Sequence, residues 1–259
     1  MSPASLSADR LSQIEDAGLN ASAPPQQLWM DGWLVRLSPG KAKRARCVNA
    51  VAAGRLPLAD KLARAAALFA EAGLPLVVRV TPFSQPEGLD QALASAGLQH
   101  FDDTLVLATD LAGMDLGATL PADAHFEPVD GATYAHTVGQ LRGSPAVQQQ
   151  AHAARLAASP VPYRGWVLRR SGEMLACGQF AREGTLVGLY DVFTAPAARN
   201  QGLSRAVCAA LLRQAAAEGA RTAYLQVDEA NAPALAVYQR LGFRLGYRYH
   251  YRAPDPALA

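Results

Sequence analysis

A short polar segment follows an apolar run and precedes a helical pattern. Its sequence is Arg199-Asn200-Gln201-Gly202-Leu203-Ser204, with Arg205 next. Where a strand passes into a helix, several backbone N–H groups point toward one place, and the helix dipole adds partial positive charge. Gly202 lets an anion approach the backbone without a Cβ in the way. The segment therefore predicts a site for an anion such as a pyrophosphate, to which Arg199 and Arg205 can add charge-assisted contacts.

A second segment with functional side chains follows the next predicted strand, residues 221–227. It reads Asn231-Ala232-Pro233-Ala234-Leu235-Ala236-Val237-Tyr238-Gln239-Arg240-Leu241-Gly242-Phe243. Asn231 is a suitable N-cap, proline is tolerated in the first helical turn, and Gly242 ends the helix. The pattern predicts a short helix carrying Tyr238, whose phenol can donate a proton.

The elements that position these segments follow from hydrophobic periodicity and from glycine and proline. In the second half we predict strands at 124–129, 165–170, 174–182 and 185–194, the last three as a meander, and helices at 132–141, 146–157 and 203–219. In the first half we predict helices at 7–19, 58–72 and 89–96, and strands at 29–37, 45–52, 76–81 and 104–108. The same order of elements recurs in both halves: a helix, a strand, a short helix, a Gly–apolar pair and a strand. This repeat indicates two copies of one fold.

With both motifs in place, the second half resembles the GCN5-related N-acetyltransferase (GNAT) superfamily. The Arg199-x-x-Gly202-x-Ser204 loop is similar to its acyl-CoA pyrophosphate loop, although serine stands where glycine or alanine is usual. Residues 231–243 are similar to its second signature. The resemblance implies an α/β (α+β) fold of two GNAT-like domains, each a mixed, mostly antiparallel twisted sheet flanked by helices.

The whole chain resembles a bacterial group of two-domain acetyltransferases. In the first half the resemblance rests on Asp31-Gly32-Trp33-Leu34-x-Arg36, on the basic residues before Val48-Asn49, and on Arg79-x-Thr81-Pro82-Phe83. We place the boundary in the Gly-containing segment near residue 118, which gives domains 1–118 and 119–259. The first domain has Ala53-Gly54-Arg55-Leu56-Pro57 before its long helix, and Leu93 in the place of Tyr238. It is therefore interpreted as a degenerate copy without a cofactor; the alternative is a coincidental alternation of helix and strand.

The resemblance implies acetyl-CoA (coenzyme A) as the cofactor. The strand before the loop would offer its backbone to the pantetheine arm, and Tyr238 would act as the general acid, with packing as its alternative role. Asn231 is as consistent with a helix cap as with a cofactor ligand. The residues implied to bind the cofactor are Val192, Phe193, Thr194, Arg199, Asn200, Gln201, Gly202, Leu203, Ser204, Arg205, Asn231, Ala234, Tyr238 and Arg240. No metal is expected.

The catalytic base is less defined by the sequence. Asp191 is the only carboxylate in the strand before the loop, and we take it as the candidate, although alternation could turn it away from the cleft and leave an exposed aspartate at a bulge. Asp228, or tyrosines among residues 247–251, could instead end a water chain. His250 is interpreted as a surface histidine of a strand.

Composition excludes several function classes. The chain has 259 residues, of which 50% are hydrophobic and 18% charged, and a net charge of +2, so it is globular and gives no reason to expect nucleic acid. Three scattered cysteines, with no secretory signal and no membrane-spanning run, indicate a cytoplasmic protein with reduced thiols and no membrane partner. The basic cluster Lys41–Arg46 is interpreted as a solvated turn, with a contact to a polyanion as the alternative.

Three functions are compatible with the sequence. The first is an N-acetyltransferase that uses acetyl-CoA and transfers the acetyl group by direct attack of a primary amine, with the first domain shaping the acceptor pocket. The second is an acyl-CoA sensor or pseudoenzyme without turnover, and the third is a scaffold without cofactor affinity. The acceptor, a small molecule or peptide, is not specified, although Trp33, Arg36, Arg142 and Trp166 could line its pocket. Two fused copies predict a monomer that is a pseudo-dimer, or a weak homodimer.

Overall fold

The computed structural model describes residues 6–259, which contain seven α-helices and eleven β-strands. The helices are α1 (Ala8–Ala21), α2 (Leu58–Glu71), α3 (Leu89–Ser95), α4 (Gly131–Arg142), α5 (Ala146–Ala158), α6 (Leu203–Ala217) and α7 (Ala232–Leu241). The strands are β1 (Gln27–Met30), β2 (Trp33–Arg36), β3 (Val48–Ala50), β4 (Val78–Val80), β5 (Gln99–Asp110), β6 (His125–Val129), β7 (Tyr163–Arg170), β8 (Glu173–Glu183), β9 (Leu186–Thr194), β10 (Thr222–Asp228) and β11 (Arg244–Ala253). These elements confirm the helices and strands predicted from periodicity, with shifts at their ends. The exception is the segment 29–37, predicted as a strand with a turn at Asp31-Gly32, which contains parts of two antiparallel strands, β1 and β2, on either side of that turn.

All eleven strands belong to one sheet, in the order β1-β2-β3-β4-β11-β5-β10-β9-β8-β7-β6. Only the neighbours β3/β4 and β9/β10 are parallel; the other pairs among the described residues are antiparallel. Each parallel pair is connected by a long helix, α2 in the first half and α6 in the second, as a parallel connection requires. The expected α/β class with a mixed, mostly antiparallel sheet is confirmed, and the sheets of the two halves are joined into one.

The halves are joined by an exchange of their last strands. Strand β5, from the first half, lies between β10 and β11 of the second half, and β11 lies between β4 and β5 of the first. The order β3-β4-β11-β5-β10-β9 therefore reads symmetrically about the β11/β5 pair. The proposed boundary near residue 118 stays a prediction, because the sheet crosses it without a break.

Strand β5 is buried on both of its faces, as a central strand should be. Leu105 and Leu107 pack into the core beneath α6 and α7, whereas Val106 and Ala108 belong to the core that also contains Tyr247 of β11. Alternation along one strand thus supplies apolar side chains to two cores. A separate core beneath α2 and α3 contains Trp33, which packs in the interior of the first half.

A buried ionic cluster links α1 to strands of both halves. The carboxylate of Glu15 forms an ion pair with Arg79 of β4 and accepts a hydrogen bond from the Tyr247 hydroxyl of β11 at 2.6 Å. The Arg79 guanidinium also lies over the Tyr249 ring, 3.9 Å from its centroid. Burial raises the pKa of Glu15, but the charge and hydrogen bonds of Arg79 and the hydrogen bond from Tyr247 outweigh it and lower that pKa below its ordinary value.

Removing the charge of Glu15 should destabilise the fold strongly, because it leaves the Arg79 guanidinium buried without a countercharge. We expect Glu15→Gln to lower the free energy of unfolding by about 3 kcal/mol and the melting temperature by about 6–12 °C, measured by thermal and denaturant unfolding. Since the pKa of Glu15 is lowered in the folded chain, the difference from the unmodified chain should shrink as the pH falls through that pKa.

The matched control is Glu229→Gln, which removes the acid of an exposed ion pair with Arg248. This change should alter the free energy of unfolding by about 1 kcal/mol at most. Equal effects of the two substitutions would contradict the role assigned to the buried cluster.

Candidate functional site

The two parallel strands of the second half separate partway along their length. Strand β9 pairs with β10 from Leu186↔Thr222 to Leu189↔Leu225 and no further. Beyond that point β10 continues beside β5, while β9 continues beside β8 alone. The separation opens a cleft in the sheet and leaves one edge of β9 without a strand partner, next to the segment predicted to bind the cofactor.

The predicted anion loop lies where β9 passes into α6. Gly202 is the N-cap of α6 with φ +74°, and Asn200 also has a positive φ of 61°. Within residues 6–259, the backbone N–H groups of residues 200–205 have no hydrogen-bond acceptor in the protein. A Cβ placed on Gly202 would meet no atom within 4 Å. The loop is therefore a concave set of free donors at a helix N-terminus, which fits a pyrophosphate.

The arginines of this loop differ in their availability. Arg199 is exposed, and its guanidinium lies 5.9 Å from the centroid of the Phe193 ring. Arg205 forms an ion pair with Asp115. Arg199 is thus the better placed of the two to contact an anion at the loop.

A β-bulge shapes the end of β9. Cys177 pairs with Phe193 and Gln179 pairs with Tyr190, so Asp191 and Val192 together lie opposite Gly178 alone. Asp191 has φ +49°, and its carbonyl accepts a hydrogen bond from the Tyr134 hydroxyl of α4 at 2.9 Å. The bulge interrupts the alternation of the strand, and this is why the sequence could not assign the direction of the Asp191 side chain.

The three strand residues predicted to face the pantetheine arm, Val192, Phe193 and Thr194, are all half-buried. The hydroxyl oxygen of Thr194 is buried and has no hydrogen-bond partner among the described residues. An unpaired polar atom beside a free strand edge fits a position where a ligand supplies the missing contact.

Helix α7 carries the other predicted cofactor and catalytic residues. Asn231 caps the helix, because its side chain accepts a hydrogen bond from the Ala234 N–H at 3.2 Å. Arg240 is exposed, and Tyr238 is half-buried with its ring in edge contact with Phe243, the centroids 5.9 Å apart. Burial raises the pKa of Tyr238, the neighbouring Cys208 raises it further, and Arg142 opposes them. The phenol therefore stays protonated throughout the neutral range.

A cavity of about 450 Å³ lies at the open end of the cleft. Its walls come from both halves of the chain: the segment between β2 and β3, strands β5, β10 and β11, the bulge of β9, and helices α4 and α5. The volume is that of a site for a small molecule. The charged side chains that line it are Lys41, Lys43, Arg44, Arg142, Arg155, Asp102, Asp191 and Asp228, and His152 is among the other lining residues.

Asp191, the predicted base, projects from the bulge into a cluster of donors. Its carboxylate lies 3.0 Å from a guanidinium nitrogen of Arg142, 2.8 Å from the Gln179 amide nitrogen and 3.3 Å from Nε2 of His152, with Arg155 at 3.9 Å. Burial alone would raise the pKa of Asp191, but the neighbouring His152 and the charges of Arg142 and Arg155 hold it well below its usual range. The group is a weak proton acceptor, and this geometry suits an anchor for cationic side chains.

Asp228, the other carboxylate considered as a base, and His250 lie in different surroundings. Asp228 lines the cavity, although one of its oxygens accepts a hydrogen bond from the Ala230 N–H at 2.8 Å. His250 does not line the cavity; its Nε2 lies 2.8 Å from Asp90, and burial lowers its pKa. The residues of β11 that reach the cavity are the tyrosines Tyr249 and Tyr251.

The basic cluster of the first half is part of the cavity, which corrects its interpretation as a solvated turn. Arg44 donates a hydrogen bond to Gln226 of β10 at 2.9 Å, and the same amide oxygen accepts one from the Tyr249 hydroxyl at 2.8 Å. Lys43 forms an ion pair with Asp102 at 2.9 Å. Of the side chains considered for the acceptor pocket, Arg142 lines this cavity, whereas Trp33 and Trp166 pack in cores.

In the first half, the region equivalent to the anion loop is occupied by the protein itself. The Asp31 carboxylate accepts hydrogen bonds from the backbone N–H groups of Arg55 and Leu56 at 2.9 Å, and Lys61 lies 3.5 Å from it. These backbone hydrogen bonds lower the pKa of Asp31. The Asp31 carboxylate thus occupies the N–H groups before α2, whereas the equivalent N–H groups before α6 have no acceptor among residues 6–259.

The fold defines the class of protein. A GCN5-related N-acetyltransferase from Kribbella flavida superposes with a TM-score of 0.68 at 19% identity, covering 96% of this chain and 95% of that one. A tandem GNAT protein from the clavulanic acid biosynthesis pathway superposes with a TM-score of 0.61 at 16% identity, covering 78% of this chain and 72% of that one. At these identities the likeness shows the fold, which is the GNAT fold in tandem form.

The family follows from the sequence. Residues 9–252 match the family described as "Probable histone acetyltransferase Rv0428c C-terminal". An uncharacterized N-acetyltransferase from Bacillus subtilis is 25% identical over 223 residues, which is 85% of this chain and 89% of that protein. The chain belongs to this acetyltransferase family of the GNAT superfamily and is an N-acetyltransferase.

No helix within residues 6–259 combines the length and the apolar character that crossing a membrane requires.

The three cysteines, Cys47, Cys177 and Cys208, are all buried. Burial raises the pKa of Cys47 and of Cys177 to about 11 and that of Cys208 to about 12. Because the thiolate is the nucleophile, none of these groups is suited to carry an acyl group at neutral pH.

We expect no thiol of the folded chain to react promptly with Ellman's reagent at pH 8, and all three to react after unfolding in guanidinium. Rapid native labelling of one thiol would contradict this assignment.

Proposed function

We propose that the chain transfers an acetyl group from acetyl-CoA to a primary amine bound in the cavity between its two halves. The observation that carries the proposal is the separation of β9 from β10, because it places the free donors of residues 200–205 and the cavity at one opening of the sheet. Bound acetyl-CoA would supply an activated acyl thioester. Binding, positioning and proton transfer are assigned to side chains and backbone groups of the chain.

The cofactor would be held by the edge of β9 and by the loop after it. The N–H groups of residues 200–205 and the guanidinium of Arg199 would take the pyrophosphate. The free edge at Val192, Phe193 and Thr194 would take the pantetheine arm through backbone hydrogen bonds. The capping bond of Asn231 to Ala234 favours a structural role for that asparagine, and Arg240 would reach only the periphery.

The cavity itself would help to provide a neutral amine. Apart from His152, five cationic side chains and three carboxylates line it, so these groups carry a net charge of +2. Like charge disfavours an ammonium group and lowers the pKa of an amine that enters. A lower amine pKa reduces the demand on a protein base, so the proton can leave through solvent near Asp228 and the cavity tyrosines.

Tyr238 is proposed as the proton donor to the leaving group. Its raised pKa keeps the hydroxyl protonated, and no hydrogen-bond partner within residues 6–259 holds that hydroxyl. Asp191 is proposed to act indirectly: its ionised carboxylate fixes Arg142, His152 and Arg155 around the cavity. Because Asp191 is a weak base, an acyl-CoA sensor without turnover is the alternative, and steady-state assays distinguish the two.

A monomer is the proposed state of the chain. The exchange of β5 and β11 already joins two GNAT-like halves within one sheet, so a second chain is not needed to complete either half. A stable dimer in sedimentation would oppose this part of the proposal.

Calorimetric titration with acetyl-CoA tests the cofactor site. We expect about one site per chain, because the equivalent region of the first half is filled by the Asp31 carboxylate. Gly202→Glu should abolish binding, since it places a negative side chain among the anion donors. The control is Gly184→Glu, at a turn at the opposite end of β9, where the glycine also has a positive φ and open space around a Cβ. Retained binding by Gly202→Glu, or two sites per chain, would refute the assignment.

Replacement of Tyr238 by phenylalanine tests the proton donor. We expect kcat to fall by about 10²-fold, the lower end of general acid catalysis, with little change in the affinity for acetyl-CoA measured by calorimetry. The ring contact with Phe243 survives this substitution, so stability should stay close to that of the unmodified chain. Unchanged kcat would leave Tyr238 with a packing role only.

A further inference from the structure

The charges around the acceptor cavity are unequally paired. Lys43 is neutralised by Asp102 and Arg142 by Asp191, whose carboxylate also serves His152 and Arg155. Arg44 has no carboxylate within 4.0 Å among residues 6–259, and its guanidinium donates a hydrogen bond to the neutral amide of Gln226. Among residues 6–259 the cavity therefore contains a half-buried guanidinium without an ion-pair partner, whereas the other cavity cation without one, Lys41, is exposed.

Arg44 is held in place rather than free in solvent. It is half-buried, its Nε is buried without a partner, and its guanidinium lies 5.9 Å from the centroid of the Tyr190 ring. Gln226 is fixed in turn by the Tyr249 hydroxyl. A cation that is partly desolvated and fixed by neutral groups gains most from an anion that enters the same cavity.

We infer that the acceptor is an amino-carboxylate, such as a free amino acid, whose carboxylate pairs with Arg44 while its amine faces the opening between β9 and β10. This inference rests on the proposed function, and it specifies the class of amine. Pairing with Arg44 would neutralise the one negative group of the substrate. The remaining positive charge of the walls would still favour the neutral form of the amine.

A lysine-rich peptide fits the cavity less well than an amino acid. Each extra lysine would add positive charge to walls that already carry a net +2, and a cavity of about 450 Å³ is small for a polypeptide segment. The inference also gives the first half a function. Arg44 lies between β2 and β3 of that half, so the half without a cofactor would supply the recognition of the acceptor.

Acetylation of matched amine pairs tests the inference. The panel contains free L-amino acids, each with its amide, together with β- and γ-amino acids, simple alkylamines and a lysine-rich peptide. An amide has nearly the size of its acid but no charge, and its amine is the less basic of the two, so intrinsic reactivity favours the amide. Rates are measured as kcat/KM at a saturating concentration of acetyl-CoA for the full chain and for Arg44→Gln, Arg44→Lys and Arg169→Gln.

We expect the full chain to prefer at least one acid over its amide by about 10- to 100-fold, as a charge-assisted hydrogen bond allows. Arg44→Gln should reduce that preference to about one, and Arg44→Lys should keep part of it. Arg169→Gln, which removes a half-buried arginine of β7 paired with Glu127 of β6, should leave the preference unchanged. Circular dichroism and calorimetry with acetyl-CoA verify that each variant is folded and retains its cofactor site.

The outcomes separate this inference from the proposed function. Acetylation of amides, alkylamines or the peptide as efficiently as of the acids would overturn the inference and leave the proposed function intact. A preference for acids that survives Arg44→Gln would also overturn it, as would a chain that binds acetyl-CoA but acetylates none of the acids. Absence of acetyl-CoA binding would instead defeat the proposed function itself.

Discussion

The exchange of β5 and β11 is the constraint on which the rest of the structure depends. Each half ends in a strand that pairs on both sides, β5 with β10 and β11, and β11 with β4 and β5. Neither half could retain its sheet alone, because removal of the partner strand would expose a buried edge with unpaired N–H and C=O groups. The exchange also fixes the first half beside the cleft between β9 and β10. The cavity, with walls from both halves, is a consequence of that arrangement.

Local structure was readable from the sequence because it is encoded locally. The glycines after α4 and α7 adopt positive φ and end those helices, and Asn231 caps α7 through its own side chain. The symmetric order of elements was visible as a repeat. The pairing of β5 with β11 was not, because the apolar pattern of a strand states which faces are buried and is silent about which strand lies beside it.

The two parts of the candidate site, the anion loop and the cavity, were predictable from the sequence to different extents. The anion loop depends on backbone geometry at one strand–helix junction, so a contiguous motif describes it. The cavity between the two halves combines residues as distant in sequence as Arg44, Asp191 and Gln226, and no single stretch contains that information. The basic cluster was the available signal, but the charge of a segment does not reveal whether it faces solvent or a cleft.

Asp191 shows why residue type alone does not define a role. A carboxylate at this position of the strand suggested a base, but the bulge turns it toward two arginines and a histidine that stabilise its ionised form. The same interaction that makes it a weak base fixes Arg142 and Arg155 at the cavity wall. The carboxylate of Asp191 would then contribute both to catalysis and to the architecture of the cavity. The site would control the basicity of the amine rather than the basicity of a protein group.

The asymmetry of the two halves can be explained in the same physical terms. In the first half, Asp31 satisfies the N–H groups before α2, so the region carries its own anion and has no need of a ligand. In the second half, the equivalent donors before α6 are left without acceptors. On the proposed function, the first half would have exchanged cofactor binding for internal stability, and its β2–β3 segment lines the cavity beside the second half. Duplication followed by this separation of roles would let the cofactor site and the acceptor-binding residues of the cavity vary independently. The cofactor site would lie on one copy and Arg44 on the other, and a single sheet joins the two copies.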